Sequence, residues 1–82
     1  MIRVNVKFFA MARDIAGTDE TVLTMPDGST PSSVLASLEE TYPRFREWRG
    51  YLRTAVNCDY APDEAILHDQ DELAIIPPVS GG

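Results

Sequence analysis

Thr30-Pro31 opens the one long helical pattern in this chain, and a lone amphipathic helix needs a sheet to lie on. Thr30 is a capping residue, and Pro31 suits the first helical position, where its missing N–H costs nothing. Pro31, Val34, Leu35, Leu38 and Tyr42 recur at helical spacing, while Ser32, Ser33, Ser37, Glu39 and Glu40 face away. Pro43 ends the run.

The sheet is sought in the flanking segments. Ile2, Val4, Val6 and Phe8 fall on one face and Arg3, Asn5 and Lys7 on the other, the period of a strand. Residues 9–16 suit a helical turn or two, with Gly17 as a stop. Residues 21–25 favour a second strand, followed by the turn Pro26-Asp27-Gly28-Ser29, and the two strands are expected to form a hairpin with a long connection. Residues 44–51 read as a turn or short helix closed by Gly50. A third strand is expected around Ala55-Val56 and a short fourth at Tyr60-Ala61. Asp69-Gln70-Asp71 turns into Leu73-Ala74-Ile75-Ile76, a short apolar run that suits a strand covered on at least one face. This order describes an α+β domain, with one helix on a mixed sheet of about four to five strands.

At 82 residues the chain has room for one hydrophobic core, expected over residues 1–76, with residues 77–82 as an extended tail. No apolar stretch approaches the ~18 residues of a membrane helix, and the alternating N-terminal segment lacks the apolar region of a signal peptide. A cytoplasmic protein with no membrane partner is expected. Thirteen acids against seven bases give a formal charge of −6, which argues against nucleic acid as a partner. One cysteine and one histidine exclude an internal disulfide and leave no expected metal site.

The tail is where chemistry is expected, although Gly-Gly alone also suits a merely frayed terminus. Pro77-Pro78 fixes two φ angles and removes two donors, so the preceding strand cannot extend its ladder. Val79, Ser80, Gly81 and Gly82 can then reach roughly 13 Å, at ~3.3 Å per residue. The Gly-Gly tip has no side chains and fits a narrow channel. It ends in a carboxylate, a poor electrophile that an enzyme can activate as an acyl-phosphate anhydride and exchange for sulfur or an amine.

The ending Leu73-Ala74-Ile75-Ile76-Pro77-Pro78-Val79-Ser80-Gly81-Gly82 resembles the C-terminal signature of the MoaD-type sulfur carriers, the small subunits of molybdopterin synthase in the MoaD/ThiS ubiquitin-like family. Phe8-Phe9-Ala10-Met11-Ala12-Arg13-Asp14 is similar to that family's Phe-Phe-Ala-x-x-Arg-Glu segment. Val56-Asn57 and Asp69-Gln70-Asp71-Glu72 resemble its Val-Asn and Asp-Gly-Asp-Glu elements. Gln70 replaces the usual glycine, Asp14 a glutamate, and Ile75-Ile76 a frequent pair of phenylalanines.

The resemblance implies a β-grasp (ubiquitin-like) fold and a non-catalytic, sulfur-donating subunit. It implies that Gly82 is adenylated by an E1-like ATP-dependent enzyme, then converted to a thiocarboxylate. The glycyl adenylate and 1-thioglycine are thus transient modifications, with no permanently bound cofactor. The tail next enters the large catalytic subunit, in a heterotetramer of two carriers and two catalytic subunits. There its sulfur builds the dithiolene of molybdopterin from cyclic pyranopterin monophosphate, in molybdenum cofactor biosynthesis. By the same resemblance Phe9, Tyr60 and Ile76 align with an apolar docking patch, and Arg13 with a partner-contacting arginine. The alternatives are a carrier for thiamine thiazole or another sulfur pathway, a ubiquitin-like modifier conjugated to lysines, and an interaction domain with an inert tail.

Other residues read as structural. Cys58 at a strand end suits a small packing residue rather than a persulfide relay. His68 reads as a surface residue. Asp63, Glu64, Asp69, Asp71 and Glu72 form a solvated acidic face able to steer the carrier to a basic partner. If residues 44–53 are helical, Arg46, Arg49 and Arg53 share a face, and pairing with nearby acids such as Glu47 is favoured over a phosphate site.

Overall fold

The computed structural model describes residues 1–78. Strand β1 (Ile2–Phe8) keeps the alternation of its sequence, with Ile2, Val4, Val6 and Phe8 buried and the polar residues opposite. It pairs antiparallel with β2 (Glu20–Met25) in a register running from Ile2–Met25 to Lys7–Glu20. Helix α1 (Met11–Ala16) fills the connection and stops at Gly17, whose φ of 74° permits a 2.8 Å hydrogen bond from its N–H to the Arg13 carbonyl.

Helix α2 (Pro31–Thr41) buries Pro31, Val34, Leu35 and Leu38. Its start is closed reciprocally: the Ser33 N–H donates to Thr30 Oγ1 at 3.2 Å, and the Thr30 N–H donates to Ser33 Oγ at 2.7 Å. Ser33 thus completes a cap worth about 1 kcal/mol rather than simply facing away.

The segment after Pro43 is not one helix. It forms two 3₁₀ turns, Pro43–Glu47 and Arg49–Tyr51, and Gly50 lies inside the second instead of closing the segment. Phe45 buries its ring in this segment, 6.0 Å from those of both Phe8 and Tyr42. Arg46, Arg49 and Arg53 therefore share no helical face, because Arg53 already belongs to the next strand. Arg49 turns back onto α2, donating to Glu39 Oε2 at 2.7 Å and to the Ser32 carbonyl at 3.2 Å; Glu39, not Glu47, is its acid partner.

Strands β3 (Arg53–Val56) and β4 (Asp59–Tyr60) form a hairpin across Asn57-Cys58, with φ of 50° and 75°. Two positive φ angles fit a two-residue turn matched to strand twist. Cys58 is exposed there, so the expectation of a packing residue is overturned: a turn tip directs the side chain away from the core.

Strand β5 (Glu72–Ile76) runs parallel to β1 and antiparallel to β3, giving the order β2-β1-β5-β3-β4. The tail-bearing strand thus lies in the middle of the sheet. Leu73 and Ile75 point into the core beneath α2, whereas Ala74 and Ile76 lie on the opposite, open face.

The loop between β4 and β5 is tied to the body. Leu67 is buried, and its N–H donates to the Ser29 carbonyl at 2.8 Å. Asp69 accepts the Arg3 N–H at 2.8 Å, and Gln70, at φ 71°, donates its own N–H to the Arg3 carbonyl. Asp71 accepts from Asn57 Nδ2 at 2.9 Å and from the His68 N–H at 2.8 Å, while Asn57 Oδ1 accepts the Glu72 N–H at 3.0 Å. The acidic run is therefore only partly a solvated face: Asp69 and Asp71 are acceptors that fold the loop. Thr54 is the exception to this economy of polar groups; its buried hydroxyl has no hydrogen-bond partner among the described residues.

Candidate functional site

Strand registers place one row of residues across the open face: Lys7 opposite Ala74, Ala74 opposite Ala55, and Ala55 opposite Tyr60. Two alanines in the middle of this row lower the surface there. The result is a shallow depression of about 380 Å³ whose wall includes Phe9, Tyr60, Ile76 and Lys7. Phe9 is 48% exposed and Tyr60 73% exposed, although both are large apolar groups. Large exposed apolar side chains gathered on one face mark an interaction surface.

The three residues expected as an apolar patch are thus brought together. Arg13 lies on α1, on the other side of Phe9, where the two line a second hollow. Its guanidinium is 3.5 Å from Asp19, an exposed pair that leaves the arginine accessible.

The tail root adjoins the same face. Ile76 ends β5, and Pro77 and Pro78 line an open groove of about 880 Å³ together with Arg53, Tyr51 and Tyr60. Ile76 and Tyr60 border both this groove and the apolar depression. Val79, Ser80, Gly81 and Gly82, the chemical end of the expected site, lie outside the described residues.

Lys7 and Glu72 are open-face residues whose pairing the sequence does not announce. Lys7 Nζ sits 2.8 Å from Glu72 Oε1. The hydrogen bond and negative charge of Glu72 raise the lysine pKa above its ordinary value, with Glu20 adding to the effect. Strand alternation put Lys7 on the open face, but only the parallel β1–β5 register brings Glu72 to it. Asp69 moves the other way: the hydrogen bond from the Arg3 N–H holds its carboxyl below the usual value.

Among the described residues no group of three or more His, Cys, Asp or Glu side chains converges to hold a metal ion. No helix among them is long and apolar enough to cross a membrane.

A family model described as the ThiS family matches residues 6–82, nearly the whole chain. The chain belongs to the ThiS family. Its sheet order, with a single long helix across one face, is the ubiquitin-like β-grasp architecture. The molybdopterin synthase sulfur carrier subunit of Arabidopsis thaliana is 42% identical over 99% of this chain and 84% of that protein. Among solved structures, a Pyrococcus furiosus protein assigned as subunit 1 of a molybdopterin converting factor superposes with a TM-score of 0.87. It is 28% identical, across 96% of this chain and all of that one. The small archaeal modifier protein 1 of Methanosarcina acetivorans is 33% identical with a TM-score of 0.82, over 100% of this ThiS-family chain and 98% of that one.

Within this ThiS-family chain, two of the upstream sequence elements meet in space. Asn57 of Val56-Asn57 is hydrogen-bonded to both Asp71 and Glu72 of the second element. Those residues set the start of β5 and hence the strand that carries the tail.

Proposed function

We propose that this chain is the sulfur-carrier subunit of a molybdopterin synthase, working through a thiocarboxylate on Gly82. The observation that carries the reading is the continuity of the patch formed by exposed Phe9 and Tyr60 and half-buried Ile76 with the Pro77-Pro78 tail root. Likeness to the Arabidopsis carrier over almost the whole chain supports it.

In this reading an E1-like enzyme first has the Gly82 carboxylate attack the α-phosphate of ATP, which breaks the α–β phosphoanhydride bond and releases pyrophosphate. That converts a leaving group of poor quality, oxide, into AMP. Hydrosulfide then attacks the acyl carbon, the C–O bond to phosphate breaks and AMP leaves, and loss of the thioacid proton gives the thiocarboxylate. This anionic sulfur is a nucleophile at neutral pH. The large catalytic subunit docks on the apolar patch and receives the tail, and the sulfur is passed to the cyclic pyranopterin monophosphate. Two carriers serve two catalytic subunits in a cytoplasmic heterotetramer. The carrier supplies a reagent on a positioned arm; acid, base and ATP site belong to its partners, so it is not an enzyme alone.

A second reading, a modifier conjugated to lysines, is favoured by the likeness to the archaeal modifier protein. Both fates start from the same acyl adenylate. Intact-mass measurement after incubation with ATP, an adenylating enzyme and a sulfur donor separates them. The expected result is replacement of one oxygen by sulfur, abolished by deletion of Gly81-Gly82. Unchanged mass together with lysine-linked conjugates would establish the modifier instead.

A further inference from the structure

An acyl adenylate is attacked by any accessible neutral amine, so a carrier bearing one is a threat to its own lysines. The sequence contains a single lysine, Lys7; apart from His68 its other basic side chains are six arginines, whose guanidinium groups stay protonated. That lysine lies on the open sheet face and shares the apolar depression with Phe9, Tyr60 and Ile76. Its side chain is 44% exposed, within reach of a slim tail from a second molecule. Its amine is 2.8 Å from Glu72, with Glu20 opposite Lys7 in the β1–β2 register. Cys58 lies exposed in the same depression, but a thioester formed on its thiol is reversed by small thiols, whereas an amide on the lysine is not.

Given the reading of Gly82 as an activated acyl group, we propose that Lys7 is the one side-chain amine on which this carrier can be stably acylated by a second activated copy, and that its ion pair with Glu72 keeps that reaction slow. In the step, the neutral Lys7 Nζ attacks the glycyl carbonyl carbon of an acyl adenylate. A C–N bond forms, the C–O bond to phosphate breaks, AMP leaves, and the amine proton passes to water. Glu72 stabilises the ammonium form, which has no lone pair to attack with. The product would hang a whole second domain on the docking face and close it, so the guard protects both the activated glycine and the surface that delivers it.

The test uses two readouts. Limiting N-acetoxysuccinimide acetylates amines without any tail chemistry, and the Met1 amine, paired with Asp27 rather than Glu72, serves as the internal reference. Glu72→Gln is expected to raise Lys7 acetylation about two- to five-fold relative to Met1, the range for loss of an exposed ion pair. Glu72→Ala repeats the comparison without an amide that could hydrogen-bond the lysine. In parallel, the adenylating enzyme and ATP without a sulfur donor are expected to yield a Gly82–Lys7-linked dimer from Glu72→Gln, little from the unmodified carrier, and none from Lys7→Arg/Glu72→Gln. Equal acetylation of Lys7 in all three proteins overturns the guard, whatever the tail does. Raised acetylation without ATP–pyrophosphate exchange overturns the reading of Gly82 and supports the guard alone. Raised acetylation and exchange without linked dimers overturns Lys7 as the acceptor.

Discussion

Arg53 lies directly opposite Ile76 in the antiparallel pairing of β3 with β5, so the last strand residue before the double proline is held by the first residue of its neighbour. This fixes where the tail leaves the sheet. Phe9 and Tyr60 border the same depression as Ile76, so a partner that covers the patch is already at the tail root. Under the proposed function, docking on the patch and delivery of the tail would be one geometric event.

Charge placed in that patch should therefore abolish docking without unfolding the carrier. Ile76→Asp and Phe9→Asp are each expected to weaken binding of a molybdopterin synthase large subunit by about 2 kcal/mol or more, the scale of an interface hot spot. Isothermal titration calorimetry measures the loss and circular dichroism checks the fold. Unaltered affinity in both variants would move the interface elsewhere.

Thr54 carries a removable penalty. Its buried hydroxyl lacks a partner among the described residues, and such a group costs about 1–3 kcal/mol when left unsatisfied. Thr54→Val keeps the branched shape and is expected to raise stability by about 1 kcal/mol, or about 4–8 °C in Tm for a domain of this size. A thermal melt with a lower midpoint would show that the hydroxyl is satisfied in solution.

The two non-glycine residues at strongly positive φ make a matched pair of tests. Cys58 at 75° and Gln70 at 71° each sit where an L side chain is strained. Replacing either with glycine relieves ~1–2 kcal/mol of strain and returns ~0.5–1 kcal/mol as lost chain entropy, leaving a gain of about 0.5–1 kcal/mol. Urea denaturation should show higher midpoints with unchanged slopes; lower midpoints would contradict the strain.

Acid should expose the Arg3–Asp69 contact. The folded Asp69 carboxyl titrates below its ordinary 3.8, so its contribution is present above that value and is lost as the pH falls through the depressed folded value. Asp69→Asn should be less stable than the parent at neutral pH, with the difference shrinking below the ordinary value in acid titrations. Lys7 has the opposite sign: its raised pKa contributes below 10.5 and fades as the pH climbs beyond the folded value. An Asp69→Asn difference that stays constant through the acid range would rule out this linkage.

What the sequence made legible were the elements whose pattern is local. The alternation of β1, the capped stripe of α2 and the apolar run ended by Pro77-Pro78 each state their own structure, and all three are observed. Expectations failed where a long-range contact decides the outcome. Residues 43–51 form two 3₁₀ turns while Phe45 packs its ring against those of both Phe8 and Tyr42, a three-ring cluster no local spacing announces. Cys58 looked like strand packing because the hairpin turn carries neither Asn-Gly nor Asp-Gly. Asp71 looked like surface charge because its partner, Asn57, lies on another hairpin. Likewise the Phe9–Tyr60–Ile76 patch could be named by resemblance, but Lys7–Glu72 waited on the parallel register.

Because β5 is flanked by β1 and β3 along its length, tension applied to the C-terminal end loads two hydrogen-bonded ladders in shear. Bonds in that arrangement share the force and fail together, unlike those of an edge hairpin, which open one at a time. A pull on the arm would thus be resisted by both central ladders at once, and the body would follow as a unit instead of unravelling from one edge.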